Sequence, residues 1–170
     1  GRNRPDWWRS GGGGRCWGCK GAESRRLQIP LGYGAILTSS KDSFFDRIEI
    51  IYNKISEITK IYKPDVSSIE KLYFQNNHKT AIDVAQARGV TLLALKQSNV
   101  PIFEYTPLQV KTAVTGYGKA QKNQVMMMTQ RLLNLKEIPK PDDTADALAI
   151  AICHANSLGY QYINRRCIRA

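Results

Sequence analysis

A chain of 170 residues, 42 % hydrophobic and 23 % charged, suits one compact domain that buries roughly two thirds of its unfolded surface without disulfides or a structural metal. No run approaches the roughly 18 to 20 apolar residues of a membrane span, and Gly1-Arg2-Asn3-Arg4-Pro5-Asp6 has no apolar core like a signal peptide's, so a soluble, intracellular protein with no membrane partner is expected. The formal charge of +11 favours a polyanion such as nucleic acid, although residues 1–29, with six Arg and one Lys against Asp6 and Glu23, carry +5 of it and leave a moderately basic body.

In chain order, residues 1–30 form a first segment with no usable apolar period, holding all three tryptophans, Gly11-Gly12-Gly13-Gly14 and Cys16-Trp17-Gly18-Cys19. That cysteine spacing serves thioredoxin-like redox sites and half of a zinc site. No strand-to-helix context supports the first, and Cys153 and Cys167 do not form the second pair a zinc site needs. Leu31 to Thr38 resembles a strand, and Ser43 to Tyr62 spaces Phe45, Ile48, Ile51, Ile55, Ile58 and Tyr62 by threes and fours, which predicts an amphipathic helix. After Lys63-Pro64-Asp65, Val66 to Glu70 reads as a short strand ending on a carboxylate. A helix from about Thr80 to Gln97 gathers Ala81, Ala85 and Ala87 near Arg88-Gly89, a pattern that predicts close backbone packing.

Pro101 to Tyr105 reads as a strand, Thr106-Pro107 as an N-cap and first-turn proline, and Leu108 to Ala113 as a short helix stopped by Gly116-Tyr117-Gly118. Lys119 to Leu135 predicts a long helix with Val125, Met128, Leu132 and Leu133 inward, and the Met126-Met127-Met128 run reads as helix filler. Asp142 or Asp143 caps a last helix to about Ser157, leaving residues 158–170 as a tail. Strands alternating with helices define an α/β layered fold around a central sheet.

Asp143 and Asp146 lie three residues apart, on one helix face within a turn of its start, which capping and the helix dipole would explain without function. Glu70 alters that balance, because the end of a short apolar strand is where open α/β sheets place ligand sites. Converging carboxylates repel one another unless a cation neutralises them, and hard oxygen donors suit Mg2+ or Mn2+. Metal-assisted phosphodiester hydrolysis is the expected chemistry, with two ions roughly 3.5 to 4 Å apart serving the attacking and departing oxygens. Lys111, Lys119 and Lys122 suit a phosphate backbone, and Tyr73 or Phe74 could stack on an unpaired base. His154 falls about 12 Å along the helix from Asp146 at 1.5 Å per residue and is not read as a ligand.

Several ordered motifs now carry a resemblance over Leu31 to Asn156. They are Ser68-Ile69-Glu70-Lys71-Leu72-Tyr73-Phe74, Ala85-Gln86-Ala87-Arg88-Gly89-Val90, and Phe103-Glu104-Tyr105-Thr106-Pro107-Leu108-Gln109-Val110-Lys111. Gly116-Tyr117-Gly118-Lys119-Ala120-Gln121-Lys122-Asn123-Gln124-Val125 and Asp143-Thr144-Ala145-Asp146-Ala147-Leu148-Ala149 complete the set. The chain resembles the bacterial RuvC family of Holliday junction endonucleases. The resemblance implies an RNase H-like fold, a central mixed sheet flanked by helices, over residues 31–157. It also implies a cytoplasmic homodimer that nicks two strands of a four-way junction symmetrically in DNA recombination and repair, beside a branch-migration motor complex. Carried over by motif, Glu70, Asp143 and Asp146 match three of four metal-holding acids, for Mg2+ with Mn2+ as substitute and two ions per subunit. Lys111 and Lys122 match lysines at the scissile region, Tyr73 and Phe74 match an aromatic segment near the junction centre, and Arg88 and Lys119 join the DNA-binding set.

The first segment departs from the family's opening strand, which reads like Ile-Gly-Ile-Asp-Pro-Gly and supplies the fourth acid. Asp6 follows Pro5 and has no apolar strand before it, so it is not assigned. Were residues 1–5 written GGT AGG AAT AGA CCC, codons one base later would read Val-Gly-Ile-Asp-Pro, so a frame slip accounts for the departure. Sequencing the DNA tests that. A chain lacking this strand is expected to expose sheet edges and aggregate, or to bind junctions without cutting them.

Overall fold

The computed structural model describes residues 28–71 and 78–167, with backbone alone for 78–80 and 159–167. Cys16, Cys19, Tyr73, Phe74 and Asp6 therefore lie outside the described residues. The order of elements is α1 (Phe44–Tyr62), β1 (Ser67–Glu70), α2 (His78–Gln97), β2 (Ile102–Tyr105), α3 (Pro107–Thr115), α4 (Lys122–Leu132) and α5 (Asp142–Cys167).

The alternation predicted an α/β fold, and β1 and β2 pair in parallel, joined through α2, with Ser67 opposite Ile102 and Glu70 opposite Tyr105. Of the expected central sheet, the described residues contribute these two parallel strands. Leu31 to Thr38 forms no strand. Its alternation could specify a face but not a partner, and Leu31 and Leu37 are largely exposed.

Helix α1 begins where Ser43 accepts a hydrogen bond from the Asp46 N–H and ends at Lys63 in a left-handed conformation. It packs chiefly on α2, and the Thr59 and Ser98 hydroxyls meet at 2.9 Å between them. The close packing expected on α2 is not found at Ala85, which is exposed, or at Gly89. A Cβ on Gly89 would meet nothing within 4 Å, because Gly89 lines an open cleft of about 460 Å³ with Phe44, Phe45, Ile48, Val90 and Leu93.

The core lies on the other side, where α3, α4 and α5 converge on Val110, Val114, Val125, Leu133, Leu148, Ala149 and Ile152. Ala145 and Ala149 are 1 % and 0 % exposed, so α5 approaches its neighbours at backbone range. Two expected helix limits move. Tyr117 to Gln121 stay outside α4, whose C-terminal end is followed by Asn134 at φ 51°, so Lys119 precedes the helix and Leu132 is exposed. Conversely, α5 continues to Cys167 through most of the segment read as a tail.

Helix α3 is delimited as its sequence suggests. Thr106 and Gln109 form a reciprocal capping box, Pro107 opens the first turn, and Gly116 closes the last at φ 74°. A Cβ on Gly116 would meet no neighbour, so substitution there tests backbone conformation alone. Gly116→Ala is expected to lower unfolding free energy in urea by about 1 kcal/mol and Gly116→Asn by less, since asparagine tolerates the left-handed region.

Candidate active site

Glu70 closes β1, half-buried at the carboxyl edge of the sheet, where the Lys71 N–H still bonds the Tyr105 carbonyl at 2.8 Å. Asp146 lies in the second turn of α5, and α5 packs against both strands. The structure brings these two acids together: burial first, then the charge of Asp146, pushes the Glu70 carboxyl above its ordinary value of 4.5.

Lys122 heads α4 and reaches across to α5, its Nζ 3.3 Å from Asp142 Oδ2 and 3.5 Å from Asp146 Oδ2. The hydrogen bond to Asp142 and the charge of Asp146 push the Lys122 ammonium further up, so it stays cationic. All three side chains are about half exposed, and ion pairs of this kind add little to stability. Lys122 is therefore held electrostatically yet remains free to exchange a carboxylate for a phosphate. Sequence reasoning credited Asp142 with capping alone and missed its contact with Lys122. The signal was an acid one residue before Asp143 on a helix start facing a lysine-led helix.

The remaining expected site residues are placed less tightly. Asp143 is exposed on the first turn of α5. Lys111 is half-buried on α3, and Lys119 is exposed in the turn before α4. Arg88 is engaged elsewhere, its guanidinium paired with Glu104, so that it ties α2 to β2 instead of standing open to a phosphate.

A second feature was passed over because His154 is too far along α5 to share a ligand with Asp146. His154 is 6 % exposed, shares a 2.7 Å hydrogen bond through Nδ1 with the Tyr105 hydroxyl, and rests on the Phe103 ring with centroids 4.6 Å apart. Burial pushes its imidazole below the usual histidine range, so the ring is neutral. Its Nε2 is buried with no hydrogen-bond partner.

Among the described residues, no group of three His, Cys, Asp or Glu stands close enough to hold a metal ion. The two acids that do meet fit a hard divalent cation in kind. Their donors are all oxygen, burial and then their mutual repulsion raise Glu70, and an ammonium already sits against one of them.

Comparison with known proteins identifies the class and then the family. Two solved structures share the fold over most of their length: "Thermus thermophilus RuvC structure", 36 % identical with a TM-score of 0.64 over 69 % of this chain and 71 % of that one, and "T. thermophilus RuvC in complex with Holliday junction substrate", 36 % identical with a TM-score of 0.67 over 71 % and 73 %. The fold is thus of the RNase H-like class, with a sheet reduced to two strands among the described residues. The family model described as "Crossover junction endodeoxyribonuclease RuvC" matches residues 16–154. Relatives of that description from Fusobacterium nucleatum and Halothermothrix orenii are each 58 % identical over 127 residues, which cover 75 % of this chain and 67 % and 77 % of theirs. The chain belongs to the RuvC family.

The raised Glu70 carboxyl has a thermodynamic consequence. It binds its proton more firmly when folded than unfolded, so stability falls as pH rises through 4.5 and then through the folded value, and the penalty persists at neutral pH. Glu70→Gln is expected to raise the thermal midpoint at pH 7 without divalent cations. The gain should vanish below pH 4.5, and an unchanged midpoint at pH 7 would mean that the ionised carboxylate is fully hydrated.

Proposed function

We propose that this chain is a structure-selective endonuclease that resolves Holliday junctions by metal-dependent, symmetric nicking of two strands, in DNA recombination and repair. The observation that carries the reading is the meeting of Glu70 and Asp146 at the carboxyl edge of a parallel sheet, with Lys122 beside them, in a member of a family described as crossover junction endodeoxyribonucleases. A relative of the same fold, T. thermophilus RuvC, is solved in complex with a Holliday junction substrate, and a basic body suits that polyanion.

In this reading Glu70, Asp143 and Asp146 hold Mg2+, or Mn2+ in its place, as two ions per subunit. Ions held by these carboxylates would supply a water of lowered pKa and would offset charge on the departing oxygen. Asp146 keeps Lys122 at the site until a phosphate competes for it, and the ammonium then stabilises charge on the scissile phosphate. Lys111 and Lys119 bind flanking phosphates, and Tyr73 and Phe74 stack near the junction centre. A homodimer makes the two cuts. The exposed Phe45, Ile61, Ile82 and Leu93 on α1 and α2 favour self-association. A branch-migration motor complex and a bacterial cytoplasmic setting complete the proposal, and no helix among the described residues is long and apolar enough to cross a membrane.

One observation favours a second reading, a junction-binding protein with impaired chemistry, namely that two acids and not three meet among the described residues. Cleavage of a synthetic four-way junction beside linear duplex, with and without Mg2+, separates the two. Mg2+-dependent cutting of the junction alone supports the enzyme, binding without cutting supports the second reading, and neither would sink both.

For the enzyme, Lys122→Ala is expected to lower the single-turnover cleavage rate by about 10²- to 10³-fold, the usual loss for a donor aimed at developing charge. Lys119→Ala should instead weaken junction binding and reduce the slope of log affinity against log salt by roughly 0.9.

A further inference from the structure

Glu70 and Tyr105 occupy the same rung of the parallel sheet. Parallel partners project to the same face, and both of these reach α5. Glu70 lies in the field of Asp146, while the Tyr105 hydroxyl shares its 2.7 Å hydrogen bond with His154. His154 also packs on Phe103, two residues earlier on the same face of β2. Helix α5 thus starts at the carboxyl edge of the sheet and runs back along the strands, with Asp146 and His154 about 12 Å apart along its axis.

We infer that Tyr105 and His154 are positioning residues, which act by fixing α5 against the rung that carries Glu70 and so set the distance between the two carboxylates. Apolar contacts along α5 resist separation from the sheet but permit sliding and rotation. A single directional hydrogen bond from a half-buried Tyr105 to a buried His154 ring selects one register. His154 suits that task because its neutral, buried ring is clamped by Phe103 and offers Nδ1 toward Tyr105. Neither residue needs to touch the metal or the DNA.

This inference rests on the metal-binding reading proposed above, and its test is chosen so that the two can fail separately. Mn2+ affinity of the full chain is measured by electron paramagnetic resonance, beside thermal melts, for the parent and for Tyr105→Phe, His154→Leu, His154→Asn and Val114→Ala. Val114 is 4 % exposed in the α3–α5 core and serves as a control for general loosening. Tyr105→Phe removes a single oxygen, and His154→Leu removes its hydrogen-bond partner. Each is expected to weaken Mn2+ binding roughly ten-fold, as loss of an orienting partner commonly does. His154→Asn, which keeps an oxygen near the Nδ1 position, should restore much of the affinity, and Val114→Ala should leave it unchanged despite a lower midpoint.

In four-way junction cleavage the same variants should shift half-saturation toward higher Mg2+ while approaching the parental rate at saturation. Unchanged Mn2+ affinity in Tyr105→Phe, or an equal loss in Val114→Ala, would overturn the positioning role and leave the metal reading intact. A parent chain that binds no Mn2+ would overturn both.

Discussion

The contact between α5 and the two parallel strands is the constraint on which the rest of the structure depends. A sheet of four rungs cannot stand alone in water, and the strands persist because α5 covers them while also packing on α3 and α4. That double role falls to one face of the helix, where Ala145, Leu148, Ala149 and Ile152 recur by threes and fours and mix small residues with larger ones. Ala145 and Ala149 give the close approach, and Leu148 and Ile152 fill the core. Burial of a side chain such as Leu148 contributes roughly 1.5 to 3 kcal/mol, so a few α5 residues account for much of the hydrophobic stabilisation. The same helix presents Asp146 to Glu70, and the geometry of the site is therefore inherited from the packing of the core.

This arrangement sets stability against chemistry at the sheet edge. Glu70 occupies a place where an uncharged residue would cost less, since burial and Asp146 both disfavour its ionised form. The conflict is relieved only in part by Lys122, which stands half exposed and balances Asp142 and Asp146 from the solvent side. A site poised in this way has unmet affinity for positive charge. An isolated ion pair in the same place would have quenched it. The basic body then serves a different purpose, attracting a polyanion at long range, while the local negative field at Glu70 and Asp146 admits cations.

Much of this was legible in residue order, for identifiable reasons. Ser43 and the apolar period behind it specify α1, and Thr106-Pro107 with Gly116 bounds α3, because caps and left-handed termini are local chemistry that needs no distant partner. Strand Leu31 to Thr38 was misjudged because pairing is not local. Lys119 to Leu135 was drawn too long because a charged, Gln-rich stretch is compatible with helix, while the Tyr117 to Gln121 turn is fixed by contacts such as the Ala120 N–H to the Tyr117 carbonyl. At the site, Glu70 and Asp146 could be found because a strand end and a helix start are topologically defined positions. The Tyr105–His154 bond spans 49 residues and has no signature in either segment. Arg88 shows the limit from the other side, since an arginine reads as a phosphate ligand until Glu104 is seen beside it.

Arg88 also explains how the α1–α2 pair is joined to the remainder. Helix α2 meets β2 at few points, and among the described residues the Arg88–Glu104 ion pair links them, its Arg88 Nε buried without a partner. A partly buried ion pair loses solvation on forming and adds little net stability, but its geometry is selective. The two halves of the domain thus differ in degree: α3, α4 and α5 share one hydrophobic core, whereas α1 and α2, which bury Ala94 and Leu95, are also tied to the sheet by a charged strut and leave an apolar cleft open.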